Sequence, residues 1–311
     1  MNIKLGTREI NLGHAQARLA LESSFTLLSL FSLMIAGAYF KTQENHHVLA
    51  ASVALASTFS VEPGSIEARS AIIYDARDGR VLYQKNADES WPLASLTKLM
   101  SAEAILSLKA PDASIEITQD DLKPDGDSGL VVGDVWSLKN LLTFGLIVSS
   151  NDAMAAAAAS AGTASIINKM NETATELGLK HTSFSNPTGL DVDVDAQEAG
   201  AYGSARDVSL LAADFLKKYP EFFGATVASK TDIPVGGKMV EAVPTALPIL
   251  DIPGLIGAKT GYTDLAGGNL VAAFDLEIGH PVIAVVLGSS IDGRFKDVRT
   301  LIEATRAAQE K

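Results

Sequence analysis

Ser95 and Lys98 are the first residues in this chain whose types and spacing could do chemistry together. They lie in Pro92-Leu93-Ala94-Ser95-Leu96-Thr97-Lys98, where the pattern predicts a helix over 96–109 with Pro92 just ahead of its start. Residues three apart on a helix share a face, so the Lys98 amine can reach back to the Ser95 hydroxyl. A serine hydroxyl is a weak nucleophile until a base takes its proton. A lysine can be that base once burial or a second cation pulls its pKa down. Backbone N–H groups at a helix start also favour negative charge developing on an attacked carbonyl oxygen. One short segment can thus supply nucleophile, base and part of an oxyanion site. Ser-x-x-Lys alone is a weak signal, because a capping serine and a solvated lysine give the same spacing.

The elements that must hold this pair can be read along the chain. Its 311 residues, 47% of them hydrophobic, are enough for a sizeable core. The net charge is -12, and residues beyond 60 carry -13 of it; so acidic a body repels phosphate backbones, which argues against nucleic acid as a partner. Cysteine is absent, which excludes disulfides, thiolate metal sites and cysteine nucleophiles. Residues 1–24 are a polar, weakly basic lead, and Phe25 to Phe40 is an uncharged apolar run of 16 residues, near the lower limit for crossing a bilayer. It reads either as an anchor or as a signal segment cleaved at Ala36-Gly37-Ala38. The long lead with Glu22 favours the anchor, with Lys4, Arg8 and Arg18 held in the cytoplasm. In both cases the chain beyond this run is exported.

Residues 41–64 read as a linker and 65–311 as one folded domain without internal repeat. Ala71 to Asp75 and Arg80 to Gln84 are strand-like around an Asp78-Gly79 turn. Helical patterns cover 138–148, 152–161, 163–177 and 207–218, with Gly178 placed to end the third. Strand character returns at 231–243, 255–263, 269–274 and 282–287, and 294–309 closes the chain as a helix. Strands at both ends with helices between them predict an α+β fold, an antiparallel sheet built from N- and C-terminal segments around a helical insert.

Two further triplets give the first pair its meaning. Ser149-Ser150-Asn151 falls between two predicted helices, 54 residues after Ser95, and Lys259-Thr260-Gly261 opens a strand 110 residues later. Each is common by itself. In this order, Ser-x-x-Lys, Ser-x-Asn and Lys-Thr-Gly are the set shared by penicillin-binding proteins and class A β-lactamases.

The flanking residues sharpen the likeness. Pro92 to Met100, Val148 to Ala153, Gly257 to Thr263, His181-Thr182-Ser183-Phe184-Ser185-Asn186-Pro187-Thr188-Gly189-Leu190-Asp191 and Ser204-Ala205-Arg206-Asp207 resemble the D-alanyl-D-alanine carboxypeptidases, the low-molecular-mass penicillin-binding proteins. The resemblance implies a β-lactamase/transpeptidase-like fold that needs neither cofactor nor metal. It implies a peptidoglycan stem peptide as substrate and β-lactams as covalent inhibitors. It assigns Ser95 as nucleophile, Lys98 as its base, kept neutral partly by nearby Lys259, and Ser149 as proton donor to the leaving amine. Asn151 would hold the substrate amide, Lys259 and Thr260 its terminal carboxylate, and the N–H groups of Ser95 and Tyr262 the oxyanion beside Gly261. Two departures stand out: Ser150 replaces a common Gly, and Val243-Pro244-Thr245-Ala246-Leu247 lacks the asparagine relatives often carry there, which puts substrate-peptide contacts in question.

Alternatives on the same fold are a D,D-endopeptidase of cross-links, a β-lactamase or esterase, and a non-catalytic wall-binding module. A class A β-lactamase needs a deacylating Glu, and none of Glu172, Glu176, Glu198, Glu221 and Glu241 is followed by Asn four residues on. Asp191-Val192-Asp193-Val194-Asp195 resembles the start of a calcium loop but has Ala196 where glycine is required, so a solvated loop is expected. His46 and His47 lack a third ligand.

Overall fold

The computed structural model describes residues 2–5, 8–11, 61, 64–124, 126 and 129–309. The chain divides into two units, Met1–Ala54 and Leu55–Lys311. In the first, Asn2–Leu5 and Arg8–Asn11 form an antiparallel hairpin where the sequence suggests only a polar lead. The apolar run from Phe25 to Phe40 lies outside the described residues. Among the described residues no helix is long and apolar enough to cross a membrane.

The second unit is built on a five-stranded antiparallel sheet. Its strands are β1 (Ser70–Asp75), β2 (Arg80–Lys85), β3 (Leu255–Thr263), β4 (Gly267–Asp275) and β5 (Pro281–Ser289), in the order β3-β4-β5-β1-β2. N- and C-terminal segments thus share one sheet, joined where Val285 pairs with Ile72. Alternation explains why these strands read as nearly unbroken apolar runs. Ile72, Val271, Ala273, Ile283 and Val285 point to the helical side, while Ala71, Ile73, Leu270, Ala272, Phe274, Val282 and Ala284 point to the closing helix. Both faces are covered, so neither alternate position needs to be polar.

Between β2 and β3 lie the helices α1 (Thr97–Leu108), α2 (Leu138–Ile147), α3 (Asn151–Ala159), α4 (Thr163–Glu176), α5 (Ala205–Lys218) and α6 (Pro220–Ala225). The closing helix α7 spans Gly293–Gln309. Every residue of α1 from Thr97 to Ile105 is buried, so its sequence has no polar stripe: it is the central helix of the unit. Gly145 of α2 lets α3 come close, since a Cβ there would lie 3.0 Å from Met154 Sδ and 3.2 Å from Ala153 Cβ. The alanines of α3 serve the same close packing. A hairpin of Thr231–Val235 with Lys238–Ala242 turns at Gly236 and Gly237, and short pairings join Trp91–Pro92 and Ser183–Phe184 to Ala201–Gly203.

Candidate active site

Ser95 sits in a single 3-10 turn, Ala94–Leu96, that runs straight into α1. The turn is held from both sides. Asn269, fully buried on β4, donates through Nδ2 to Pro92 O (2.9 Å) and Leu93 O (3.2 Å) and accepts from Gly288 N (2.9 Å) through Oδ1. Ala94 has φ +48°, a left-handed conformation costly for a residue with a Cβ. Its carbonyl packs on Gly189, where a Cβ would lie 1.9 Å from Ala94 O. Strand β3 approaches from the other side at Gly261, where a Cβ would meet Leu93 O at 3.0 Å and Ser95 N at 3.2 Å. Glycine in the Lys-Thr-Gly triplet therefore lets β3 lie tightly against the turn of Ser95.

Lys98 has no solvent exposure. Its Nζ lies 2.7 Å from Ser95 Oγ, 2.7 Å from Asn151 Oδ1 and 2.9 Å from Thr188 O. Burial brings its pKa down to about 7. These contacts orient a neutral amine, which has two hydrogens and one lone pair. Asn151 Oδ1 and the Thr188 carbonyl can only accept, so they take the two hydrogens. The lone pair is left facing the Ser95 hydroxyl, whose hydrogen points into it. That is the geometry of a general base.

Ser149 lies in the short link between α2 and α3, and Asn151 is the first residue of α3. Ser149 has φ +62°, and its hydroxyl accepts from Lys259 Nζ at 2.7 Å. Ser150 caps α3, accepting from Ala153 N at 2.9 Å, so the residue that departs from the common Gly stabilises the helix carrying Asn151. Ser150→Ala is expected to cost about 1 kcal/mol of unfolding free energy and Ser150→Gly only a few tenths, as read from urea midpoints.

Lys259, on β3, is 1% exposed; besides Ser149 it donates to Thr260 O at 2.8 Å. Burial first, then the charges of Lys98 and Arg294, hold its pKa well below the ordinary lysine value. Burial lowers both amines, and two ammonium groups this close disfavour each other's charge. Thr260 Oγ1 donates to Thr245 Oγ1 at 2.6 Å, and Thr245 N is tied to Ile147 O at the end of α2. Tyr262 stands on the rim, 47% exposed.

Lys98 thus joins Ser95 and Asn151, Lys259 joins Ser149 and the Thr260 carbonyl, the charge of Lys98 is felt at Lys259, and Gly261 packs against the turn of Ser95. Sequence reasoning does not single out Asn269, Thr188, Thr245, or Arg294, whose Nη1 donates to Gly261 O at 2.7 Å from beneath the strand. The Asp191 carboxylate accepts from Thr263 Oγ1 (2.9 Å) and Leu265 N (3.3 Å), closing the loop onto the end of β3. Among the described residues Asp75, Asp78 and His280 bring three potential metal ligands together. The Arg80 guanidinium, 2.8 Å from Asp78 and 3.5 Å from Asp75, already supplies the cation there.

Residues 57–291 match the family described as D-alanyl-D-alanine carboxypeptidase, peptidase S11. The D-alanyl-D-alanine carboxypeptidase DacF of Bacillus subtilis is 35% identical over 237 residues, covering 72% of this chain and 58% of that protein. This chain thus spans just under three fifths of that relative's length. The D-alanyl-D-alanine endopeptidase of Escherichia coli is 30% identical over 75% of this chain and 74% of its own. Among solved structures, penicillin-binding protein D2 of Listeria monocytogenes in its ampicillin-bound form superposes with a TM-score of 0.68 at 29% identity, over 77% of this chain and 97% of that one.

Proposed function

The chain belongs to the D-alanyl-D-alanine carboxypeptidase family, and from that membership we propose that it removes the terminal D-alanine of peptidoglycan stem peptides through an acyl-enzyme on Ser95. The observation that carries this reading is the Lys98 amine, buried and held by two acceptors so that its lone pair meets Ser95 Oγ.

In the first half-reaction Ser95 Oγ attacks the carbonyl carbon between the two D-alanines, its proton passes to Lys98, and the carbonyl π electrons move to oxygen. The Ser95 and Tyr262 N–H groups bind that oxyanion, each such donor contributing about 3–4 kcal/mol in comparable sites. The C–N bond then breaks. Ser149, whose oxygen already accepts from Lys259, has its own proton free to give to the departing amine and is reprotonated from the lysine pair. Water next adds to the ester, losing a proton to Lys98, which passes it to Ser95 Oγ as the C–O bond breaks and the shortened peptide leaves. Asn151 orients the substrate amide, while Lys259 and Thr260 meet the terminal carboxylate, a cation and a hydroxyl suited to it.

The Thr245 hydroxyl fits this role for Thr260. When a carboxylate arrives, Thr245 can turn to donate to Thr260, freeing the Thr260 proton for the substrate. Thr245→Val should raise KM for a D-Ala-D-Ala peptide about threefold to tenfold, the value of one hydrogen bond, with kcat little changed. A peptide ending in a carboxamide should show no such difference between the two proteins.

The functional test is incubation with benzylpenicillin followed by intact mass over time. One lasting adduct that is lost in Ser95→Ala supports a penicillin-binding carboxypeptidase; rapid turnover of the drug supports a β-lactamase; no adduct at all supports a non-catalytic module. The endopeptidase relative supports a second substrate, the D-alanyl cross-link. Release of D-alanine from a pentapeptide against cleavage of a cross-linked muropeptide dimer separates the two.

The fold unit is further proposed to act on the extracytoplasmic side of a bacterial membrane, tethered to the bilayer through the apolar run Phe25 to Phe40. Recovery of the full-length protein from washed membranes supports the anchor. A soluble chain beginning just after Ala38 would mean cleavage instead.

A further inference from the structure

Residues 186–191 form a loop tied by one side chain. Asn186 Oδ1 accepts from Thr188 N (3.1 Å), Thr188 Oγ1 (3.0 Å) and Gly189 N (2.7 Å), and its Nδ2 donates to Leu190 O (2.9 Å). Gly200 is packed onto this amide, where a Cβ would lie 2.1 Å from Asn186 Nδ2.

Apart from Gly200, whose carbonyl accepts from Asn186 N at 3.3 Å, the loop's outward contacts run to α1 and to the site. Thr188 O meets Lys98 Nζ, and Pro187 O accepts from Ser101 Oγ at 2.6 Å, one turn further along α1. Gly189 lies against Ala94 O, and Asp191 fastens the far end to Thr263 and Leu265. No hydrogen bond joins Asn186 to Ser95, Lys98 or Lys259 among the described residues. We infer that Asn186 is a positioning residue: its amide fixes the Thr188 carbonyl where it takes one hydrogen of the Lys98 amine, and thereby aims the amine's lone pair at Ser95. The inference rests on the reading of Lys98 as the base.

A purely structural asparagine would affect stability and leave the titration of the base alone. A positioning one would not. The Lys98 ammonium is faced by three uncharged acceptors, Ser95 Oγ, Asn151 Oδ1 and Thr188 O, and by one charged neighbour, Lys259, which in turn feels Arg294. Withdrawing the Thr188 carbonyl removes an acceptor that favours the charged form more than the neutral one. It also lets the neutral amine rotate.

The test is the second-order rate of penicillin acylation across roughly pH 5 to 10 for the full chain, Asn186→Ala and Asn186→Asp. In Asn186→Ala the high-pH plateau should fall about 10–100-fold, the effect of a misaligned reacting group, while the midpoint of the acid limb moves to lower pH. Asn186→Asp keeps the three accepted hydrogen bonds; it should recover the plateau to within about threefold with a midpoint at or above that of the parent protein. Should Asn186→Ala not fold, Asn186→Thr, which keeps an oxygen but not the amide, carries the same comparison. An unchanged profile overturns the inference, as does a rate lowered equally at every pH with an unmoved midpoint. If the parent protein itself is acylated at no pH, it is the proposed enzymatic function that fails.

Discussion

Replacing Lys98 with methionine should slow acylation of Ser95 by penicillin by about a thousandfold or more. Methionine fills a similar volume but cannot take a proton. The second amine in the site does not stand in for it, because Lys259 Nζ is held by Ser149 Oγ and Thr260 O. Lys98→Arg should be as inactive, since a guanidinium stays protonated throughout the working pH range. The parent protein's acylation rate should rise with pH through about 7, where Lys98 loses its proton, and that limb should be absent from the residual rate of Lys98→Met. Intact mass at timed intervals reads both. A methionine variant acylated within tenfold of the parent rate would remove Lys98 from the mechanism.

The sheet and its helical insert are legible in the sequence because each element carries a period. Val282 to Leu287 is apolar at every position since β5 is covered on both faces, and Gly178, φ +71°, ends α4 as its place in the pattern implies. Pairing between short, distant pieces is not legible in this way. Trp91–Pro92 against Ala201–Gly203 is too brief to show alternation. The hairpin Asn2–Leu5 with Arg8–Asn11 reads only as a polar lead for the same reason.

The site divides along similar lines. Ser95, Lys98, Ser149, Asn151 and Lys259 belong to three triplets that are common singly, and their order along the chain selects them. Thr188 enters through a backbone carbonyl, which every residue has, and no side-chain pattern can reveal it. Asn269 sits where a strand residue is expected and Arg294 where a helix start is expected, each accounted for locally before its long-range contact can matter. In the Asn-Pro-Thr-Gly run the turn-forming composition is visible, yet its orientation toward Lys98 follows only from the fold.

The same buried amines should leave a thermodynamic mark that needs no substrate. Lys98 is lowered by burial to about 7, and Lys259 also lies well below the ordinary lysine value; in the unfolded chain both return to about 10.4. Between the folded and unfolded values, unfolding takes up one proton per lysine. Unfolding free energy should therefore rise with pH, by about 1.4 kcal/mol per pH unit for each lysine in that window. Below about pH 7 the Lys98 share of the slope vanishes, because that amine is then protonated in both states. Tyr83 and Tyr219, raised by burial, oppose the trend only near and above about pH 10, where the unfolded chain releases their protons first. Lys98→Met removes one lysine, and above about pH 7, where Lys98 is neutral in the folded protein, it leaves the charge felt by Lys259 unchanged. Between roughly pH 7.5 and 9.5 the parent should gain about 3 kcal/mol more than the variant, as followed by urea midpoints at fixed ionic strength. Parallel curves would mean that Lys98 keeps its proton in the folded protein, and an amine that keeps its proton cannot take one from Ser95.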